Sequence, residues 1–197
     1  LQHYAASSER LVINLSLGAK DSYSSAVANA ISAAMSDGAI VVAAAGNYGP
    51  AEPMFPASLP KVIAASASDR YDLTDYLTYF TQYGDIAAPG EYIYSTWNDA
   101  TSVSYPWPVC IGAGEVECYK YESGTSMASP FVAAAAGLVW SIHPEYTPLQ
   151  VRFALYGSVD VPAGWDSRYG VGRLNVGQAV TGPPVVVHWI YLPLAVR

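Results

Sequence analysis

Histidine and charge are scarce in this chain of 197 residues, and both scarcities narrow what it can do. Only three histidines occur, His3, His143 and His188, while charged residues make up 13% of the sequence with a formal net charge of -7. No run of Lys or Arg is present, so the surface lacks the clustered cations on which binding to phosphate backbones rests, and nucleic acid is not an expected partner. No stretch reaches the roughly 20 apolar residues that cross a bilayer. Leu1 is not followed by a charged segment and then an apolar core. The chain is therefore expected to carry no membrane span and no targeting signal of its own, and its start reads as internal. Cysteine is limited to Cys110 and Cys118, in a loop rich in Gly, Pro and aromatic residues. Paired, they would close a short loop for about 2.5 kcal/mol and imply an oxidising compartment. The alternative is two free buried thiols. No His or further Cys lies nearby, so the loop offers no metal site.

What the sequence has in quantity is hydrophobic residues, 52% of the total. That composition describes a globular core, and the length suits one domain that removes roughly 70% of its unfolded surface from water. Residues 11–17 form a short β-branched run ending at Gly18, expected as a buried strand. Residues 24–36 carry apolar positions at helical spacing and stop at Asp37-Gly38. Residues 39–45 are a second apolar run, so strand, helix and strand make a βαβ unit of the kind whose parallel strands are covered on both faces. Strands follow at 61–66 and 86–88, with a short fifth at 93–96. Residues 127–141 are Ala-rich and apolar on nearly every side, which predicts a helix buried on most of its circumference. Another helix is expected at 148–156, with Pro148 in its first turn. The alternation gives an α/β fold with a mainly parallel sheet.

The most specific local sequence is Gly124-Thr125-Ser126-Met127-Ala128-Ser129-Pro130. A serine where a turn opens into a helix gains chemically: its N–H faces any oxyanion formed at an attacked carbonyl, and the helix dipole favours that charge. Gly124 lets a substrate carbonyl approach without a Cβ in the way, and Pro130 is expected in the first turn. Alone, such a serine would read as an N-cap. Here the heptapeptide resembles the serine signature of the subtilisin family, with Ser126 as nucleophile. Ala43-Ala44-Ala45-Gly46-Asn47 follows in the order that family requires, at the C-terminal end of a strand, where open α/β sheets place ligands. The resemblance makes Asn47 the oxyanion donor; by itself Asn47-Tyr48-Gly49-Pro50 would be an ordinary turn. A third match, residues 12–18, resembles the family strand that pairs with an extended peptide substrate. Ser16, Leu17 and Gly18 with Ala44, Ala45 and Gly46 are then expected to wall the pocket for the side chain preceding the cleaved bond. Met54 lies at its floor, and Gly124 and Thr125 lie beside the nucleophile.

The similarity extends over about residues 11–181. It implies a three-layer subtilisin-like α/β fold with a mainly parallel central sheet whose N-terminal part is missing, followed at 182–197 by a Pro-rich linker and an apolar tail. It also implies extended polypeptide substrates, no cofactor for the chemistry and an extracytoplasmic, secreted protein. Structural calcium is common in the family. Asp69, Asp72 and Asp75 offer oxygen ligands in one stretch, but their spacing fits no strict calcium loop and better suits a solvated acidic surface.

The departures are as informative. A serine hydroxyl needs a base, and the base needs an orienting group. None of the three histidines stands in the family's His-Gly-Thr context, and no Asp-Ser/Thr-Gly motif occurs, since Asp21-Ser22 runs on to Tyr23 and Asp166-Ser167 to Arg168. In the family both motifs precede the strand matched by residues 11–17, so they are expected before Leu1. Phe131 stands where relatives commonly have a non-catalytic His, and Met54 where many have a small residue, which makes the pocket shallower. The insertion at 101–119 enlarges the loop leading to Ser126. The sedolisin family, a related serine peptidase class, places an aspartate at the oxyanion position, and Asn47 argues against it. The remaining alternatives are a serine endopeptidase acting within a longer protein and a non-catalytic, peptide-binding or structural remnant.

Overall fold

The computed structural model describes residues 10–69, 77–97, 109–110 and 118–182. Four of the apolar runs form one parallel sheet in the order β1-β2-β3-β4: β1 Val12–Leu15, β2 Ile40–Ala44, β3 Ile63–Ser68 and β4 Ile86–Pro89. Val12 pairs with Ile40, Val42 with Ile63 and Ala65 with Ile86. β2 and β3 are buried along their whole length, as strands covered on both faces must be. β1 is the edge of this sheet, and its side chains are only half-buried or exposed.

Because side chains alternate along a strand, each central strand feeds two cores. Ile40 and Val42 of β2 join the larger core, while Val41 and Ala43 join a smaller one with Ile31. Ile31 lies on α1, Ser25–Ser36, whose buried residues Ala28, Ile31 and Ala34 fall at spacings of three. Ser24 caps that helix by accepting from Val27 N, which satisfies one of its orphan donors. The other layer is α2, Thr125–Ile142, packed across all four strands, with α3 (Pro148–Gly157) and α4 (Val176–Thr181) against it. By length and composition α2 would suffice to cross a membrane. Its position between the sheet and two helices accounts for that apolarity, and Ala128, Val132, Ala135, Ala136, Val139 and Trp140 are buried there. The result is the expected three-layer α/β arrangement.

Leu155 on α3 is fully enclosed in this core. Leu155→Ala is expected to lower stability by about 2–5 kcal/mol, read from the midpoint shift in urea unfolding. A cost under about 1 kcal/mol would mean that α3 is not part of the cooperative core.

The structure corrects two readings. The run at 93–96 does form a strand, β5 Ile93–Trp97, but outside the main sheet. It pairs antiparallel with β7 (Cys118–Glu122), which also carries β6 (Val109–Cys110). Pro89-Gly90 turns the chain away from the parallel sheet, and the returning segment before Ser126 becomes the partner. In this small sheet Cys110 stands directly opposite Cys118; their side chains fall outside the described residues. The second correction concerns α2, which begins at Thr125. Ser126 is therefore the second helical residue, the cap being Gly124. Pro130 is the sixth helical residue, beyond the first turn.

Candidate active site

Displacing Pro130 from the first turn has a chemical consequence. In an α-helix the N–H of residue 130 would bond the carbonyl of residue 126, and proline has no N–H to give. The Ser126 carbonyl is taken instead by Ser16 Oγ, which donates to it at 2.7 Å. Ser16 Oγ also accepts from Asn14 Nδ2 at 2.9 Å and lies 3.0 Å from Ser129 Oγ. The segment just past β1 is thus tied to the first turn of α2, 110 residues away in sequence.

The same turn is fixed from its other side. Gly124 has φ 158 and ψ 163, a region that only glycine occupies readily. Its N–H donates to Gly90 O at 2.7 Å. A Cβ on Gly124 would stand 3.1 Å from Asn47 Nδ2, so glycine here leaves room for the amide.

Asn47 lies just beyond β2, and Thr125 dictates its orientation. Asn47 Oδ1 accepts from Thr125 N at 2.9 Å and from Thr125 Oγ1 at 3.0 Å. A backbone N–H can only donate, so the oxygen must be the end facing Thr125 and the NH₂ must be the end facing outward beside Gly124. Thr125 Oγ1 in turn accepts from Gly46 N at 3.0 Å, leaving that buried hydroxyl with both donor and acceptor roles filled.

Ser126 follows directly and is half-buried. Its N–H is among the first four of α2, which have no carbonyl partner within the helix. No acidic residue occupies the first turn to offset the positive end of the dipole. Among the described residues Ser126 thus presents a hydroxyl beside two outward donors, its own N–H and Asn47 Nδ2. An oxyanion generated by attack of that hydroxyl on a carbonyl would meet both.

Thr125 supports this arrangement through Asn47. Thr125→Val is expected to lose about 1–3 kcal/mol of stability, because the buried Gly46 N–H loses its acceptor. Turnover should fall with KM little changed, and Thr125→Ser should restore both. Equal loss in Thr125→Ser would mean that the methyl group, and not the hydroxyl, matters.

The other candidate residues converge here in part. Ser16, Leu17 and Gly18 lie beside the Ser126 turn through the Ser16 bond, and Ala44, Ala45 and Gly46 lie at the end of β2 and just beyond it. Met54 reaches between these two segments: its Cε lies 3.2 Å from where a Gly18 Cβ would stand, and its Sδ 2.7 Å from the corresponding point on Gly46. Met54 N donates to Ala45 O at 2.8 Å, and Ala19 N to Phe55 O at 2.9 Å, so the loop carrying Met54 is stitched to both walls. One contributor was not foreseen. Gln82 donates its N–H to Gly46 O and its side-chain amide to Glu52 O, and no local motif in the sequence marks it.

No base completes the site among the described residues. His143, the one described histidine, follows the last residue of α2, about 25 Å from Ser126 at 1.5 Å per residue. It stacks on Tyr146 at 4.5 Å and lies 3.5 Å from Glu145. The displaced ionisations also lie elsewhere: burial and the Asp85 carboxylate hold the Tyr156 phenol well above its usual range, and Arg168 holds the Asp166 carboxyl below its own. As to metals, Asp69 lines a cleft of about 310 Å³ with Asp160 and Arg173. Among the described residues no three potential ligands group together; Asp72 and Asp75 lie outside them.

The chain is 39% identical over 181 residues to a thermophilic serine proteinase of Bacillus sp. (strain AK1), covering 90% of this chain and 39% of that protein. It is 34% identical over 177 residues to thermitase of Thermoactinomyces vulgaris, covering 90% of this chain and 56% of that protein. The chain thus spans less than two thirds of either relative. Among solved structures, fervidolysin from Fervidobacterium pennivorans, a keratinolytic enzyme related to subtilisin, superposes with a TM-score of 0.74 at 30% identity, over 89% of this chain and 27% of that one. The family model for the subtilases matches residues 2–172. With the subtilase model matched over residues 2–172 and relatives at this level of identity, the chain belongs to the subtilase family.

Proposed function

We propose that the protein is a serine endopeptidase that hydrolyses peptide bonds through an acyl-enzyme on Ser126. The observation that carries this reading is the pairing of two outward donors, Ser126 N–H and Asn47 Nδ2, at the N-terminus of α2, with the amide orientation fixed by Thr125. Ser126 Oγ attacks the substrate carbonyl carbon and loses its proton to a base, and the carbonyl oxygen takes up negative charge between the two donors. Collapse expels the amine, which takes the proton. Water then attacks the ester, releasing the acid and restoring the hydroxyl. The base and its orienting group come from outside residues 1–197, which we take as a partial peptidase domain at 1–181 and a tail at 182–197. Among the described residues β1 is paired along one edge, and Phe131, Leu138 and Ile142 on α2 are exposed, which suits a chain that packs against further structure.

The distance of His143 from Ser126 favours a second reading for the isolated chain: it binds an extended peptide along residues 14–18 and cleaves nothing. Upstream coding sequence discriminates the two. An Asp-Ser/Thr-Gly motif followed by His-Gly-Thr selects the enzyme, and their absence the remnant. Biochemically, a serine-directed fluorophosphonate should label the upstream-extended protein and leave its Ser126→Ala variant unlabelled. No labelling of any form would remove the catalytic reading.

We place the protein outside the cytoplasm, as an extracellular protease of Xanthomonas campestris, 36% identical, is by its name. The directly opposed positions of Cys110 and Cys118 suit a cross-strand disulfide, since opposed antiparallel residues hold their Cα atoms about 4.5–5.5 Å apart, within disulfide range. Maleimide should modify the denatured protein only after reduction. Modification of both thiols without reductant would rule the bridge out. Calcium is proposed only as a structural supplement, with no residue assigned to hold it.

A further inference from the structure

We propose that Met54 and Gln82 close the pocket between residues 16–18 and 44–46, so that the peptides accepted are those with a small side chain, Gly, Ala or Ser, before the scissile bond. This rests on the peptidase reading for the identity of the pocket, but its physical basis is independent of catalysis. Two facing backbone segments can sandwich a side chain only where their own side chains leave space, and Gly18 and Gly46 are the positions that leave it. In this chain the space is filled. The Met54 thioether bridges the two glycines, with Cε 3.2 Å from the Cβ direction of Gly18 and Sδ 2.7 Å from that of Gly46.

Gln82 fixes the plug from behind. Its Oε1 lies 2.0 Å from where a Gly46 Cβ would stand, so the amide packs onto the bare glycine backbone. Its other end donates to Glu52 O, two residues before Met54. Gln82 is 4% exposed, and its Oε1 has no hydrogen-bond partner among the described residues. Burying an unpaired carbonyl is unfavourable, and the contacts it makes there are those that hold the Met54 loop against Gly46. Met54 also lines a cleft of about 480 Å³ with Lys20, Tyr23, Glu52, Phe55 and Gln82. The thioether therefore borders both the pocket and this cleft, and we read it as the partition between them. Methionine is flexible, so the partition is held by its anchored loop as well as by its bulk.

Two arms test this. In a Ser126→Ala background, peptides identical except for Ala, Leu or Phe before the scissile bond are titrated and followed by NMR line shifts. Ala is expected to bind at least about tenfold more tightly than Phe, the scale set by a few methylenes of misfit. Met54→Gly, which joins pocket and cleft, should reverse that order, and Gln82→Ala should weaken the discrimination several-fold without reversing it. In the second arm the upstream-extended protein with Ser126 intact is assayed for kcat/KM on the same peptides. Discrimination in binding without cleavage by any form would sink the peptidase reading and leave this inference standing. Cleavage or binding of Phe peptides as efficient as Ala peptides before any substitution would overturn the inference and leave the peptidase reading untouched. An unchanged preference in both Met54→Gly and Gln82→Ala, or no binding of any peptide, would overturn it as well.

Discussion

Ser126→Ala is expected to lower kcat of the upstream-extended protein about 10⁶-fold, with peptide binding retained; that magnitude was established on subtilisin, a member of the same family. The physical reason is that in the proposed mechanism every covalent step passes through Ser126 Oγ, whereas the contacts that hold the peptide do not. Ser16 Oγ bonds the Ser126 carbonyl and Thr125 N bonds Asn47, and neither bond uses the hydroxyl. Alanine keeps the backbone N–H and suits the helix, so folding should be unaffected. Unfolding curves matched to wild type together with a complete loss of turnover assign the effect to chemistry. A loss below about tenfold would place the nucleophile elsewhere.

Asn47→Leu carries the second-largest effect, about 100- to 1,000-fold in kcat with little change in KM, again a scale set by subtilisin. The split between kcat and KM is the diagnostic. Asn47 Nδ2 faces outward and gains a full partner only when charge develops on the carbonyl oxygen, so removing it weakens the transition state more than the ground state. Leucine also removes the acceptor of two Thr125 bonds, and some destabilisation accompanies the variant. Asn47→Asp separates the two effects: a carboxylate keeps the acceptor for Thr125 but has no proton for the oxyanion, so turnover should fall at least as far while stability holds. A rise in KM with unchanged kcat would make Asn47 a binding residue only.

Much of this architecture was legible because the relevant signals are local. The largely apolar runs at 39–45 and 61–66 are best satisfied by strands covered on both faces, and β2 and β3 are such strands. The Ala-rich segment before His143 predicts a helix buried on most of its circumference, whereas α2 buries one side between sheet and helices and leaves Phe131, Leu138 and Ile142 exposed. Ser126 and Asn47 stood out by motif, and the fold brings them together at the end of β2 and the start of α2. What sequence reasoning misplaced depended on pairings across long separations. β5 looks like any short strand until β7 returns beside it. Pro130 suits a first turn until the helix is found to start at Thr125, and the compensating donor, Ser16, is 110 residues earlier. Gln82 was invisible for the same reason. A glutamine in a polar loop has no pattern, and its role exists only because Gly46 and Glu52 lie on either side of it.

The most direct test of the account is a crystal structure of the upstream-extended protein after reaction with a fluorophosphonate. The phosphonyl group should be bonded to Ser126 Oγ, with one of its oxygens about 2.7–3.1 Å from both Asn47 Nδ2 and Ser126 N. An adduct on another residue, or a Ser126 adduct whose oxygens turn away from both donors, would contradict it.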